Sequence, residues 1–429
     1  MKQQNLWLSV LLMGSMTTFI SCSDDDGGGT SAPALEIESI MANGTDLETG
    51  ENTELDLNAA TAAEDVPLDA TITIEFSGDV DASTATSSNI NLTSGSTTVD
   101  AAVSASGSTV TLDPTEELER GTDYTLNITS SVKAADGGSF ATVTRSFKTA
   151  GRAEVTPPQA DSQVAYWMFN GDATAAVGEY DADEIIEIEW IEDRFGSIES
   201  AAYFDGDASL IEIPNGNQLL TNSITISYWI KVDSVGHDGG HFVMGLGDEN
   251  GFFIEIPKTY SGFKLRGSYS KEDGTVEKND FWFNGDGMDA NNGGWEAIAY
   301  EANLGENGLG SLLDDKWAHV VYVFDAESNM RHIFINGALM ETDDFNIPLG
   351  LSTVTGMTFN DNVEGQVVGP KLAFGFMHDR ATTHWANEPW GNYDLPTSNH
   401  FKGALDDVRF FSSALNEEEI SALYDAEKP

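Results

Sequence analysis

Between Ser223 and Lys231 the chain reads Ser-Ile-Thr-Ile-Ser-Tyr-Trp-Ile-Lys, so that Ile224, Ile226, Tyr228 and Ile230 alternate with Thr225, Ser227, Trp229 and Lys231. A period of two puts the first set on one face of a strand and aims it at a core. The same period returns from Trp317 to Asp325 and, after a polar turn, from Arg331 to Met340. Within the latter run, Asn336-Gly337 supplies the two positive φ angles of a type I′ hairpin. It returns again from Phe401 to Phe411, followed by Ser413-Ala414-Leu415-Asn416 and a short acidic helix from Glu417 to Tyr424. With Ala202 to Gly206 and Ile211 to Pro214 upstream, the spacing predicts successive strands of one two-layered β-sandwich. Between Phe253 and Leu313 the alternation weakens, and Gly, Asn and Asp crowd around Tyr260, Tyr269, Trp282 and Trp295, which predicts elaborated loops. Met377 to Asn399 reads as a second insertion.

The first part of the chain, from about Pro33 to Ala150, is rich in Thr, Ser and Val with turn residues at short intervals and no helical period. It predicts a separate sandwich of short strands. Residues 151–163, with Pro157-Pro158, break the pattern and read as a short, fairly stiff linker. The predicted fold class is therefore all-β, in two sandwiches covering 33–150 and 164–429.

Length agrees with more than one domain, at 429 residues. The chain carries 71 acidic against 20 basic residues, a net charge of −51. Such a field repels other polyanions, so nucleic acid is excluded as a partner and a solvated surface is expected. The one cysteine, Cys22, leaves no disulfide to hold the fold. Lys2 precedes an apolar run from Leu6 to Ile20 that is too short to span a bilayer and suits a signal-peptide core over residues 1–21. The tract Ser23-Asp24-Asp25-Asp26-Gly27-Gly28-Gly29-Thr30-Ser31 cannot bury apolar surface, so residues 22–32 are expected to act as a flexible tether.

Several of these stretches resemble known families. Phe19-Ile20-Ser21-Cys22 resembles a bacterial lipoprotein signal, with Phe19 where the usual lipobox has Leu, a departure tolerated in Bacteroidetes. The resemblance implies lipidation of Cys22 and a membrane anchor. The acidic tract after it resembles the surface-export signal of Bacteroidetes lipoproteins, which implies a place on the outer face of the outer membrane. Val66 to Ser77, Val110 to Pro114, Gly121 to Ile128 and Arg145 to Thr149 resemble the SbsA-type bacterial Ig-like domain, which implies a spacer. Phe204-Asp205-Gly206, Ser223 to Trp229, Trp317-Ala318-His319-Val320, Ile335-Asn336-Gly337 and Asp406-Asp407-Val408-Arg409 resemble, in this order, the laminin G-like, concanavalin A-like jelly-roll family. That resemblance implies a carbohydrate-binding, non-catalytic module, with a protein-binding adhesin as the alternative and a glycoside hydrolase as a weaker one.

Sugar recognition needs a flat apolar face beside polar groups that bond hydroxyls, and Trp and Tyr supply both. The insertion at Met377 to Asn399 holds Trp385, Trp390 and Tyr393 among Gly, Asn, Pro and Asp; Trp282 and Trp295 lie in the other weakly patterned region. These five are the candidate ligand-binding residues, with burial as a private mini-core the competing expectation. The jelly-roll resemblance also implies a structural Ca²⁺ near Asp406, with backbone and carboxylate oxygens from near Gly206 and Asp172 needed to reach six to eight ligands. The competing expectation is that Asp406 and Asp407 cap turns or pair with Arg409. Glu187-Ile188-Glu189-Trp190-Ile191-Glu192 has the spacing of the catalytic strand of bacterial laminarinases, but Glu189 stands where that family has Asp, and a regular strand would put Glu187 and Glu192 on opposite faces. It reads as a coincidence of an acidic chain. The seven histidines form no local metal motif, His378 and His384 being six apart in a predicted loop.

Overall fold

The computed structural model describes residues 33–47, 49–258, 260, 262–287, 298–347, 350–361, 368–378, 391, 394–395 and 398–429. Up to Thr149 the described chain forms two five-stranded sheets packed face to face. Alternation sets their facing sides. In Thr71–Phe76, for example, Ile72, Ile74 and Phe76 are buried while Thr71, Thr73 and Glu75 are half-exposed.

From Gln163 onward a larger sandwich follows. One sheet runs in the order Ala175–Val177, Gln163–Trp167, Lys402–Phe411, Ile224–Val232, Trp317–Asp325, Met330–Ile335, Ala338–Asp344 and Ile298–Glu301. The four period-two segments are thus neighbours: Ile224–Val232 lies between Trp317–Asp325 and Lys402–Phe411. Asn336 and Gly337 turn the hairpin with φ of 53° and 75°, as the sequence predicts. The other sheet runs Glu184–Ile186, Leu210–Ile213, Leu372–Phe374, His241–Leu246, Phe252–Ile256, Phe263–Lys271 and Val276–Phe283. Between the sheets lies a core that includes Ile224, Ile226, Tyr228 and Ile230 from one side and Phe252, Ile254, Leu265 and Phe281 from the other.

Ile224–Val232 is buried on both faces, not one. The reason is the helix Glu417–Glu427, which covers the outside of the first sheet. It is started by a capping box in which the Asn416 side chain accepts from the Glu419 N–H and the Glu419 carboxylate accepts from the Asn416 N–H. Ile420 and Leu415 pack on Val321, Val323, Phe334 and Phe411 beneath it.

The region from Phe253 to Leu313, expected to be elaborated loop, holds two long strands, Phe263–Lys271 and Val276–Phe283. At the start of this region the weak alternation has a physical cause. Phe252–Ile256 is buried at every position because its outer face is also packed, Phe253 against Phe242, Ala373, Phe376 and Met377. A strand buried on both sides reads as a continuous apolar run.

Under the helix lies a knot of charge that decides the fate of Asp406. Arg194 bonds Asp406 Oδ2 and, through Nη2 at 2.6 Å, Asp407 Oδ2. Arg152 bonds both oxygens of Asp407, Nη2 at 2.6 Å from Oδ1, and Tyr166 donates to the same Oδ1. Arg409 pairs with Glu427, and Trp229 Nε1 donates to Glu427 Oε2 at 2.9 Å. Burial pushes Asp407 up, but Arg152, Arg194 and Arg409 outweigh it and hold its carboxyl below the usual carboxylate range. Asp406 goes the other way, raised well above that range by burial and by the charge of Asp407. A calcium ion ligated by Asp406 would sit against the Arg194 guanidinium, and these residues do not fit it. Gly206 is also too far away. It follows Asp205, which pairs with Lys402, four residues along the strand from Asp406 and roughly 13 Å by strand rise. The third expected ligand, Asp172, accepts the N–H of Thr174 through Oδ1. The expected site at Asp406, Gly206 and Asp172 is corrected to an arginine–carboxylate cluster.

Candidate functional site

The outer face of the second sheet follows from its inner one. Because Ile211, Ile213, Leu372, Phe374, Met244, Leu246, Phe252, Ile254, Leu265, Phe281 and Phe283 point into the core, the residues between them point out. Strand register then lines up one row across the face: Glu184, Glu212, Ala373, Gly245, Phe253, Arg266 and Asp280. A second row, two residues along, contains Glu255, Lys264 and Trp282.

The second row borders a cleft of about 380 Å³, lined by Trp282, Lys264, Glu255, Pro257, Lys258, Asn399 and the Asp238-Gly239-Gly240 turn. The volume lies in the range of small-ligand sites. Trp282 is 40% exposed, a large fraction for an indole on a strand. A Cβ on Gly262 would come within 2.5 Å of the ring, so a glycine there lets the indole lie close to the neighbouring backbone. Lys264 sits beside it, its Nζ 5.9 Å from the Trp282 ring centroid and 5.3 Å from that of Phe253. On the far wall the Asn399 side chain accepts from the Gly240 N–H at 2.8 Å and donates to Glu255 Oε1 at 3.4 Å. Lys258 pairs with Asp238 at the rim. The cleft therefore offers an aromatic plane, an ammonium, a carboxylate and an amide within one concavity.

Of the candidate ligand-binding residues, Trp282 is in this cleft, though on the strand Val276–Phe283 and not in a loop. Trp295, Trp385, Trp390 and Tyr393 lie outside the described residues. Where the second insertion begins, Met377 and the preceding Phe376 pack with Phe242 and Phe253, and Phe376 stacks on His400 with centroids 4.2 Å apart. Lys264, Glu255 and Asn399 were not legible as site residues. The alternation of Lys264, Arg266 and Ser268 with Phe263, Leu265 and Gly267 was the signal for a half-exposed strand there.

The laminarinase-like hexapeptide is not one strand. Glu187 has a φ of 47° and separates Glu184–Ile186, which pairs in the second sheet, from Glu189–Ile191, which pairs in the first. Glu187 and Glu192 are therefore not presented by a common strand, as that mechanism requires.

Residues 55–149 match the family model of the bacterial Ig-like domain, and residues 205–360 match that of the concanavalin A-like lectin/glucanases superfamily. Among curated proteins none matches the chain. Similar solved structures include the receptor binding domain of botulinum neurotoxin C/D mosaic serotype, at 13% identity and TM-score 0.37, covering 62% of this chain and 52% of that one. Another is the botulinum neurotoxin serotype D ligand binding domain in complex with N-acetylneuraminic acid, at 13% identity and TM-score 0.39, covering 62% and 51%. The chain thus spans about half the length of these toxin chains. In sequence and in structure the protein is a bacterial Ig-like domain followed by a domain of the concanavalin A-like lectin/glucanases superfamily.

Proposed function

We propose that the protein is a non-catalytic, cell-surface lipoprotein that binds a glycan on the outer face of its second sandwich, with the Ig-like domain as a spacer. The observation that carries the reading is Trp282, an exposed indole that a strand and Gly262 hold in place, beside Lys264, Glu255 and Asn399. An aromatic plane stacks on the C–H face of a sugar ring, and the polar groups bond its hydroxyls. Trp295, Trp385, Trp390 and Tyr393 extend the same proposal.

The test separates binding from packing. Trp282→Ala in the full chain is expected to shift melting little, since a partly exposed ring loses only part of the roughly 3–5 kcal/mol that truncating a packed aromatic costs. It is expected to lower the affinity for a glycan ligand, found by array and measured by calorimetry, by tenfold or more. Unchanged affinity, or no ligand across an array of neutral and acidic polysaccharides, would overturn the reading.

The anchor rests on Cys22 and on the tract from Ser23 to Ser31, and lipidation would tie the chain stably to the membrane through more than one acyl chain. Cys22→Ala is expected to leave an exported protein in the soluble fraction; the variant staying with the membranes would remove the anchor from the proposal.

A further inference from the structure

We propose that Glu184, Glu212 and His378 form a site for a divalent transition-metal ion, with zinc the appropriate probe. The three residues are distant in sequence and are brought together by the sheet. Register sets Glu184 directly opposite Glu212 on adjacent strands, and both point outward. The chain leaving Leu372–Phe374 returns His378 to the same spot, where its N–H donates to Glu212 Oε1 at 3.0 Å and its Nδ1 lies 3.2 Å from Glu184 Oε2. One ligand atom from each residue lies within 4.8 Å of the other two.

The geometry favours a small, borderline ion. Tetrahedral ligands held about 2.0–2.1 Å from zinc are about 3.3 Å apart, close to the Nδ1–Oε2 separation, and a rotation of the Glu212 carboxylate closes the rest. The ion would sit between the imidazole Nδ1 and Glu184 Oε2. Imidazole with two carboxylates suits zinc and its neighbours, whereas calcium asks for six to eight oxygens. Three protein ligands leave at least one position for water or for an oxygen of a bound molecule.

Charge points the same way. Asp183, Glu184 and Glu212 are met by the Lys371 ammonium, 2.8 Å from Glu212 Oε2 and 3.5 Å from Asp183 Oδ2. Among the described residues, one ammonium is set against three carboxylates, a balance that favours a dication. Glu212 is only 3% exposed, so its carboxylate has little water to screen it. Lys371 is then a competitor for the ion, holding part of the site when no metal is bound. The site stands six strands across the face from Asp280, roughly 29 Å from the strand that bears Trp282, so the Trp282 and metal-site variants are tested separately.

The experiment uses the full chain, stripped with a chelator and titrated separately with ZnCl₂, CaCl₂ and MgCl₂ while melting and heat of binding are followed. Zinc is expected to bind saturably and raise the melting temperature with concentration, as a ligand of the folded state does. Glu184→Gln and His378→Ala, at half-exposed positions, are expected to melt as wild type without metal and to lose tenfold or more in zinc affinity. Lys371→Met is expected to gain affinity, which a merely structural cluster would not produce. No saturable zinc binding below about 1 mM, or zinc binding that both ligand variants retain, overturns the proposal, as does a response to calcium alone.

Discussion

At the scale of single residues, Glu341 is a buried carboxyl with no paired cation among the described residues. It is 1% exposed, it lies directly opposite Glu301 on the adjacent strand, and one oxygen of each carboxylate has no hydrogen-bond partner among the described residues. Burial first, then the charges of Asp343 and Glu301, push its carboxyl up to about 9. A folded-state value above that of the unfolded chain means that the proton stabilises the fold. That contribution is complete below about pH 4.5 and is lost as pH rises toward and through 9. Glu341→Gln keeps the shape and removes the charge. It is expected to match wild type near pH 4.5 and to become the more stable of the two by about 1–3 kcal/mol at pH 9, in urea melts at each pH. Equal stability of the two proteins across that range would show that Glu341 is ionised without cost.

At the scale of elements, the strands were legible because a period of two survives wherever one face is buried and the other is not. The segments around Ile224, Val320 and Val408, which pair as neighbours, are buried on both faces and keep the period because outer residues such as Thr225, Ser227, His319 and Arg409 are polar. The motif residues that did not fit the alternation belong to the layer above the sheet. His319 bonds Ser227 Oγ and packs with Trp229 and Tyr424 in a cluster of three rings, and burial, with Arg194 and Arg409 nearby, pushes its ring down to about 3. It is a neutral spacer beneath the helix. Asp406, Asp407 and Arg409 likewise serve the fold through ion pairs, but with Arg152, Arg194 and Glu427 as partners rather than with one another as the sequence reading has it. The sites were less legible than the strands. A row across a sheet collects residues from seven separate strands, Glu184 to Ala373 in sequence, and no local spacing announces that His378 will meet Glu184. Trp282 was singled out for its chemistry, but its neighbours Lys264, Glu255 and Asn399 become visible only once register is known.

At the scale of the whole molecule, the linker is less independent than its Pro-Pro composition suggests. Arg152 lies just after the last strand of the first sandwich, yet its guanidinium is buried against Asp407 and 3.7 Å from Asp406 in the second. Arg152→Ala is expected to lower the unfolding transition of the second domain by about 3 kcal/mol, the low end for breaking a buried pair because Arg194 and Tyr166 still hold Asp407. The first domain's transition is expected to stay where it is in calorimetry, and an equal fall in both would assign Arg152 to the first core. Gene architecture inherits a constraint from this contact. A recombination or expression boundary drawn where the second sandwich's first strand begins would separate Asp407 from the cation that clasps both its oxygens, so the unit that can be moved intact between proteins starts at or before Arg152, inside what looks like a spacer.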